Sequence, residues 1–314
     1  MQSVKQFLDR HLKGDPYIWT VVLLMAAFSL IVVYSATGTL AQKTSGGNTE
    51  RFLLSHGQNV VLGLIAMFFV HRMPYQLLKT LSAPLYVLSI LLLLYVTLKG
   101  STVNEASRWV TLPGLGQSFQ PSDLAKLAVI LLLAKRLALN QLKVKESGAL
   151  SMALVIKAGI VVGLIAFANI STGLILMSSA LLLMIIGRVP VMRLAGYTFF
   201  FVACIGIAYL FGQRGETALN RLSNAYGTEE VSFQRHHSNV AIASGGVFGK
   251  GPGNSEQRNI LPHPYSDFIY SLIIEEYGVI GGIAVLAGYL ILLYRSTRVV
   301  AASTKPLGDW WRRG

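Results

Sequence analysis

One carboxylate stands where a polar stretch gives way to an apolar run: Pro262-His263-Pro264-Tyr265-Ser266-Asp267, followed by Phe268-Ile269. At such a boundary an Asp either caps the helix that begins there, because the first amides of a helix lack partners and its dipole favours negative charge, or accepts a proton from a substrate. Position alone leaves both readings open. Glu275 and Glu276 follow eight and nine residues later, about 12 to 13.5 Å further along a helix, so neither pairs with Asp267 for acid–base work, and both are expected to make buried structural contacts. Asp123 and Lys126 stand at i, i+3 at the start of another apolar run. They form an ion pair there, or the lysine offers its charge to an anionic substrate. Ser244 to Gly253 is rich in glycine and carries Lys250, a backbone able to aim amides at phosphate or simply to turn tightly. It is not a nucleotide-binding loop, because the G-x-x-x-x-G-K-[ST] spacing fails and Gly251 replaces the hydroxyl residue. His236, His237 and His263 lack the spacing and the carboxylate partner of a zinc site, and no metal site is expected.

The elements that position these groups are set by composition. Of 314 residues, 53% are hydrophobic and 13% charged, against about 25% charged in a soluble domain. Runs long enough to cross a hydrocarbon layer of about 30 Å cover roughly 17–36, 53–70, 82–99, 122–138, 150–168, 171–187, 194–211 and 268–294. Only Asn169 and Ile170 divide the fifth from the sixth, which leaves open one kinked or re-entrant unit. The fold expected is an all-α polytopic membrane bundle of about eight helices forming a single domain over 1–314. One long outer loop is expected at about 212–267 and a second at about 99–121. The two loops share a compartment.

The first span begins late and runs into Tyr34-Ser35-Ala36-Thr37-Gly38 without a cleavage-site pattern, so it is expected to stay in the membrane. With the N-terminus cytoplasmic, sixteen Lys and Arg fall on cytoplasmic segments and four on short outer loops, which predicts cytoplasmic termini. The net charge of +13 is thus an orientation signal and not a nucleic-acid footprint. The single cysteine, Cys204, excludes an internal disulfide or a cysteine metal cluster.

With these residues in view, the chain resembles the SEDS family of membrane proteins, which includes FtsW and RodA. The resemblance is carried by Ala241-Ile242-Ala243-Ser244-Gly245-Gly246-Val247-Phe248-Gly249-Lys250-Gly251, Leu261-Pro262, Ser266-Asp267-Phe268-Ile269 and Glu275-Glu276-Tyr277-Gly278. Further matches are Tyr34-Ser35-Ala36, Arg108-Trp109 and Gln120-Pro121-Ser122-Asp123-Leu124-Ala125-Lys126. Asn104 to Trp109 and the loop from Gly227 to Asp267 resemble the FtsW branch more than the RodA branch.

The family resemblance implies a peptidoglycan glycosyltransferase that polymerises lipid II, an undecaprenyl-pyrophosphate disaccharide-peptide, at the outer face of the cytoplasmic (inner) membrane during cell division. It implies a class B penicillin-binding transpeptidase and other divisome membrane proteins as partners. Asp267 matches the family's essential acid and is the expected general base. Arg108, Lys126, Lys250 and Arg258 are the cations expected to meet the pyrophosphate, with Gln234 and Ser244 as further substrate contacts and Asp123, Glu275 and Glu276 as structural residues. No tightly bound cofactor is implied, and a divalent cation on the pyrophosphate is compatible with the chemistry.

Two departures stand out. Ala168-Asn169-Ile170-Ser171-Thr172-Gly173 lacks the acid of the family's Pro-Asp-x-Gly-Thr stretch, and the family pattern has ten helices, so its last two are expected to be missing here. An inactive scaffold that recruits a transpeptidase is one alternative. A flippase for a lipid-linked sugar is another, disfavoured because the spans carry few midplane charges beyond Lys157, Glu275 and Glu276.

Overall fold

The computed structural model describes residues 14–38, 49–99, 101–103, 106–111, 118–140, 143, 146–211, 229–261 and 264–302. Eight helices lie on the expected apolar runs: α1 Pro16–Ala36, α2 Thr49–Arg72, α3 Tyr75–Lys99, α4 Pro121–Leu139, α5 Gly148–Ala168, α6 Ile170–Ile186, α7 Val191–Phe211 and, after a further helix α8 at Glu229–Gly245, α9 Ile269–Ala302. Local signals set several ends. Asp15 caps α1 by accepting from the Tyr17 amide at 3.0 Å, and Pro16 and Pro121 occupy first helical positions, where no N–H is needed. Ser147 caps α5 through the Leu150 amide.

Five helices, α1, α2, α3, α5 and α9, are long and apolar enough to cross a membrane, and α6 and α7 are apolar as well. α4 carries Asp123, Lys126, Lys135 and Arg136. The apolar surface turned outward is far larger than a soluble monomer tolerates: α2 buries no residue, and Leu54, Phe69, Phe199 and Leu290 are all exposed. The protein is a multi-pass membrane protein.

Three boundaries differ from the sequence reading. α3 begins at Tyr75 instead of residue 82 and carries Pro84 inside it, which membrane helices accommodate when neighbours satisfy the freed carbonyl. α9 continues to Ala302. The segment expected to form the long outer loop contains α8, a polar helix without the apolar periodicity that marks the spans. The segment between α3 and α4 also holds three short strands, Ser101–Val103, Ala106–Thr111 and Ser118–Phe119, paired antiparallel in that order.

The chain forms two compact units. The first contains α1, α2, α8 and α9, with α1 against α9 and α2, and α8 against α9. The second contains α3 to α7 and the strands, around a core that includes Leu93, Val129, Leu133, Val162, Met184 and Phe201. Asn169 is extended (φ −154, ψ 97) and divides α5 from α6. A Cβ on Gly173 of α6 would lie 2.8 Å from the Cβ of Ala166 in α5, while Gly187 at the far end of α6 abuts Leu137 near the end of α4. α6 therefore returns antiparallel to α5, and the two are separate helices.

Candidate active site

In the first unit a glycine-rich strap is spliced into a break in α9. Gly278 sits at φ 70, ψ −176, outside helical space. In an unbroken helix the amides of Val279 and Ile280 would bond to the carbonyls of Glu275 and Glu276. Instead Val279 N–H donates to the Gly246 carbonyl at 3.0 Å and Ile280 N–H to that of Val247 at 3.4 Å, while the Glu275 and Glu276 carbonyls accept from the amides of Lys250 and Gly251, each at 2.9 Å. The approach is close enough to require glycine, since a Cβ on Gly278 would lie 2.1 Å from the Val247 oxygen and one on Gly245 2.0 Å from the Ile274 oxygen. Of the two open readings of residues 244–253, turn or phosphate cradle, the strap is a turn whose amides at Gly249, Lys250 and Gly251 are already taken by backbone carbonyls.

The same splice brings the buried acids their partners. Glu275 is wholly buried and accepts from Lys250 Nζ at 3.0 Å, Ser255 Oγ at 2.5 Å and the Glu256 amide at 3.1 Å. Glu275 holds the Lys250 ammonium above the usual lysine pKa, aided by the exposed Glu256, 3.5 Å away. Glu276 is equally buried and accepts from Ser35 Oγ of α1 at 2.5 Å. Arg258 donates to the Ser35 carbonyl at 3.0 Å and, through its amide, to Ser255 Oγ. His237 of α8 bonds Gln257 at 2.8 Å, on the 3₁₀ turn Gln257–Asn259, and Ser238 bonds Ser271 at 2.6 Å. This polar lattice ties α1, α8 and the strap to α9 at the depth where an unpaired group is costly.

Asp267 rides on top of it. The turn at 264–268 opens α9 and is pinned by Tyr265, Phe268 and Ile269 packing on Ala36, Leu261 and Leu272. Asp267 itself is exposed, and no described residue is seen to hydrogen-bond or ion-pair with it. Leu272 N–H bonds the Phe268 carbonyl in the first turn, and no helix amide is seen to bond the Asp267 side chain. The carboxylate is thus presented by a fixed turn, one requirement of a general base.

The other expected site residues are distributed as follows. Lys126 meets Asp123 at 2.7 Å in the second unit. Gln234 is half-buried on α8, and the exposed Ser244 hydroxyl bonds back to the Ala241 carbonyl. Arg108 lies on the second strand, its side chain outside the described residues, as are Asn104, Glu105 and His263. Ser35 and Ser255, which bond the acids, and Gln257, which bonds His237, were not singled out from sequence; Ser35 was visible only as part of Tyr34-Ser35-Ala36.

The long apolar helices define a polytopic membrane protein, and its first unit presents the exposed Asp267 carboxylate on the turn that opens α9. The profile of the FtsW/RodA/SpoVE family, described as cell cycle proteins, matches residues 15–310; the chain belongs to this family. It is 31% identical over 310 residues to a probable peptidoglycan glycosyltransferase FtsW of Geobacter sp. (strain M18), covering 95% of this chain and 82% of the relative. It is 29% identical to the stage V sporulation protein E of Bacillus subtilis (strain 168), covering 94% and 81%. Among solved structures, a chain of a peptidoglycan synthase complex that coordinates polymerisation and crosslinking superposes with a TM-score of 0.70 at 22% identity, covering 95% of this chain and 81% of that one. The rod shape determining protein RodA of Thermus thermophilus superposes at 0.62 and 23%, covering 95% and 79%.

Proposed function

We propose that this chain is a peptidoglycan glycosyltransferase that polymerises lipid II at the outer face of the cytoplasmic membrane during cell division, with Asp267 as general base. The observation that carries the proposal is the exposed carboxylate of Asp267 on the pinned turn that opens α9, within the stretch that resembles the family signature. The names of the FtsW relatives support the reaction class, and the bias of Lys and Arg toward one set of short loops supports cytoplasmic termini.

In the reaction, a sugar hydroxyl of one substrate attacks the anomeric carbon of another. Asp267 accepts the hydroxyl proton as the new glycosidic bond forms, and the bond to the polyprenyl pyrophosphate breaks, leaving its electron pair on the pyrophosphate oxygen. The departing charge needs a fixed cation. In the first unit we assign Arg258, which the Ser35 and Ser255 contacts hold in place, and we assign Lys250 to the Glu275 pair. In this proposal a divalent cation used by the reaction would arrive with the pyrophosphate. A transpeptidase partner is part of the proposal, and the likeness in fold to a chain of a peptidoglycan synthase complex supports it.

The test is to purify the chain with a class B transpeptidase, supply lipid II and compare glycan polymer from wild type and from Asp267→Asn. Loss of the base is expected to cost about 100-fold or more in rate. Equal polymer from both would remove Asp267 from the mechanism. No polymer from wild type would favour a scaffold that only recruits the transpeptidase.

A further inference from the structure

In the first unit, α2 turns one side to α1 and leaves the other open. His56 Nε2 meets the Ser29 hydroxyl of α1 at 3.2 Å, and a Cβ on Gly57 would lie 3.9 Å from Leu30. The side of α2 that carries His56 and the half-buried Val60 and Leu64 therefore faces α1. Gln58 is two residues beyond His56, about 200° round the helix, and points away from α1. It is exposed, and no described residue is seen to hydrogen-bond its side chain. α2 is 24 residues long, and Gln58 lies about 4 Å from its midpoint at 1.5 Å per residue. A carboxamide at that depth meets hydrocarbon, which offers it no partner.

The residues along its row form a seam. Ser55, Gln58, Leu62, Ile65 and Phe69 follow one another at alternating steps of three and four, the spacing by which two helices wind about each other. All are exposed, with Leu62, Ile65 and Phe69 at 46 to 62%. Arg51 and Arg72 continue the row at the helix ends, where long cations reach water, and Arg72 is drawn aside over the Phe68 ring at 4.8 Å. One amide side chain set in such a seam costs stability and fixes the register and number of the helices that pair.

Two physical constraints choose the occupant. A carboxamide donates and accepts at once, so a second carboxamide completes it. Every copy of the chain takes the same orientation in the membrane, because the same distribution of basic residues orients each. The two-fold axis of a pair therefore stands along the membrane normal and brings equivalent residues together at equal depth.

We propose that the open side of α2 is a homodimer surface: a second copy of this chain lays its own α2 in parallel against it, the two Gln58 carboxamides exchange hydrogen bonds inside the hydrocarbon, and Leu62, Ile65 and Phe69 pack along the same seam. Hydrogen bonds between amide side chains of neighbouring helices are a recognised source of association in lipid, where apolar contact alone gives little drive.

The experiment uses the full chain carrying Cys204→Ser, which removes its one native cysteine. Single cysteines are introduced in the seam, as Leu62→Cys or Ile65→Cys, or on the side facing α1, as Val60→Cys or Leu64→Cys, and oxidised with copper phenanthroline in the membranes of the expressing cells. Disulfide-linked dimer is expected from the seam positions and not from the other two. Resonance energy transfer between two fluorescently labelled populations of the full chain in phosphatidylcholine vesicles reads the affinity. Gln58→Leu is expected to pair about tenfold more weakly, since two reciprocal amide bonds are lost, with thermal stability equal to or above wild type, because leucine suits the hydrocarbon that faces α2 in a single copy. Its loss of pairing therefore cannot be put down to misfolding. Gln58→Asn keeps the carboxamide and is expected to pair more tightly than Gln58→Leu. No disulfide from either seam position, equal disulfide from all four positions, or unchanged energy transfer in Gln58→Leu would overturn the proposal. Disulfides from the seam positions to a different protein, in place of the dimer, would overturn the second copy as the occupant.

Discussion

Replacing Lys250 by alanine isolates the interaction that holds the strap to α9. The variant removes the ammonium 3.0 Å from Glu275, a carboxylate with no exposed surface, and leaves it the Ser255 hydroxyl and the Glu256 amide. Stripping one partner from a buried ion pair costs about 3 to 5 kcal/mol. Two surviving hydrogen bonds and a lysine side chain that is 26% exposed place the expected loss near the lower end, about 3 kcal/mol. Glu256→Gln serves as the internal control, since it breaks a 3.5 Å contact to a carboxylate that is 75% exposed, worth about 0 to 1 kcal/mol. The assay is unfolding of the purified chain in mild detergent for wild type, Lys250→Ala, Glu275→Gln, the double variant and the control. A coupling of about 2 kcal/mol between positions 250 and 275 is expected, with the double variant less destabilised than the sum of the singles. The pH dependence follows from the raised pKa of Lys250: the pair's stabilisation is complete below the ordinary lysine value of about 10.4 and is lost as pH rises through the higher folded-state value. Wild type should therefore lose stability above about pH 10.5 in a limb that Lys250→Ala lacks. If Lys250→Ala is no more harmful than Glu256→Gln, the description of Glu275 as a buried acid neutralised by the strap is wrong.

Two further perturbations test other parts of the first unit. Gly278→Ala should destabilise by about 3 kcal/mol or more, because it adds a Cβ 2.1 Å from a carbonyl oxygen at positive φ; Gly253→Ala, at φ 83 with nothing within 4 Å, should cost about 1 kcal/mol, and equal losses by thermal unfolding would refute the splice. Arg295 meets both Asp15 oxygens, at 2.8 and 2.9 Å, and holds the Asp15 carboxyl below its ordinary pKa; the stabilisation is complete above about pH 3.9 and is lost as pH falls through the lower folded value, so an acid titration of stability should show a step in wild type that is absent from Asp15→Asn.

The spans were legible because hydrocarbon demands long apolar runs. α8 was not, since a helix outside the hydrocarbon needs no apolar face and Glu229 to Gly245 shows none. The end of α9 was read short because Arg295 and Arg298 look like a boundary; the structure carries the helix past them and gives Arg295 a partner in Asp15, 280 residues earlier. Asp267 was recognisable from its setting and from the family resemblance. The partner of Glu275 was not, because Lys250 reaches it only after Gly278 breaks the helix and the strap fills the gap. No local pattern announces that event; a glycine within an apolar run reads equally as an unbroken helix.

That splice also dictates an order of assembly. α9 cannot reach its final form as a solitary insert in lipid, because the break at Gly278 would leave the amides of residues 279 and 280 and the carbonyls of residues 275 and 276 without partners in a medium that supplies none. The groups that satisfy them belong to residues 246–251, made earlier in translation and proposed to lie across the membrane by the time α9 emerges. On the proposed orientation, the helix Ile269–Ala302 is therefore completed by chain that has already crossed the membrane, and its assembly has a closing step in which a segment between spans finishes a transmembrane one.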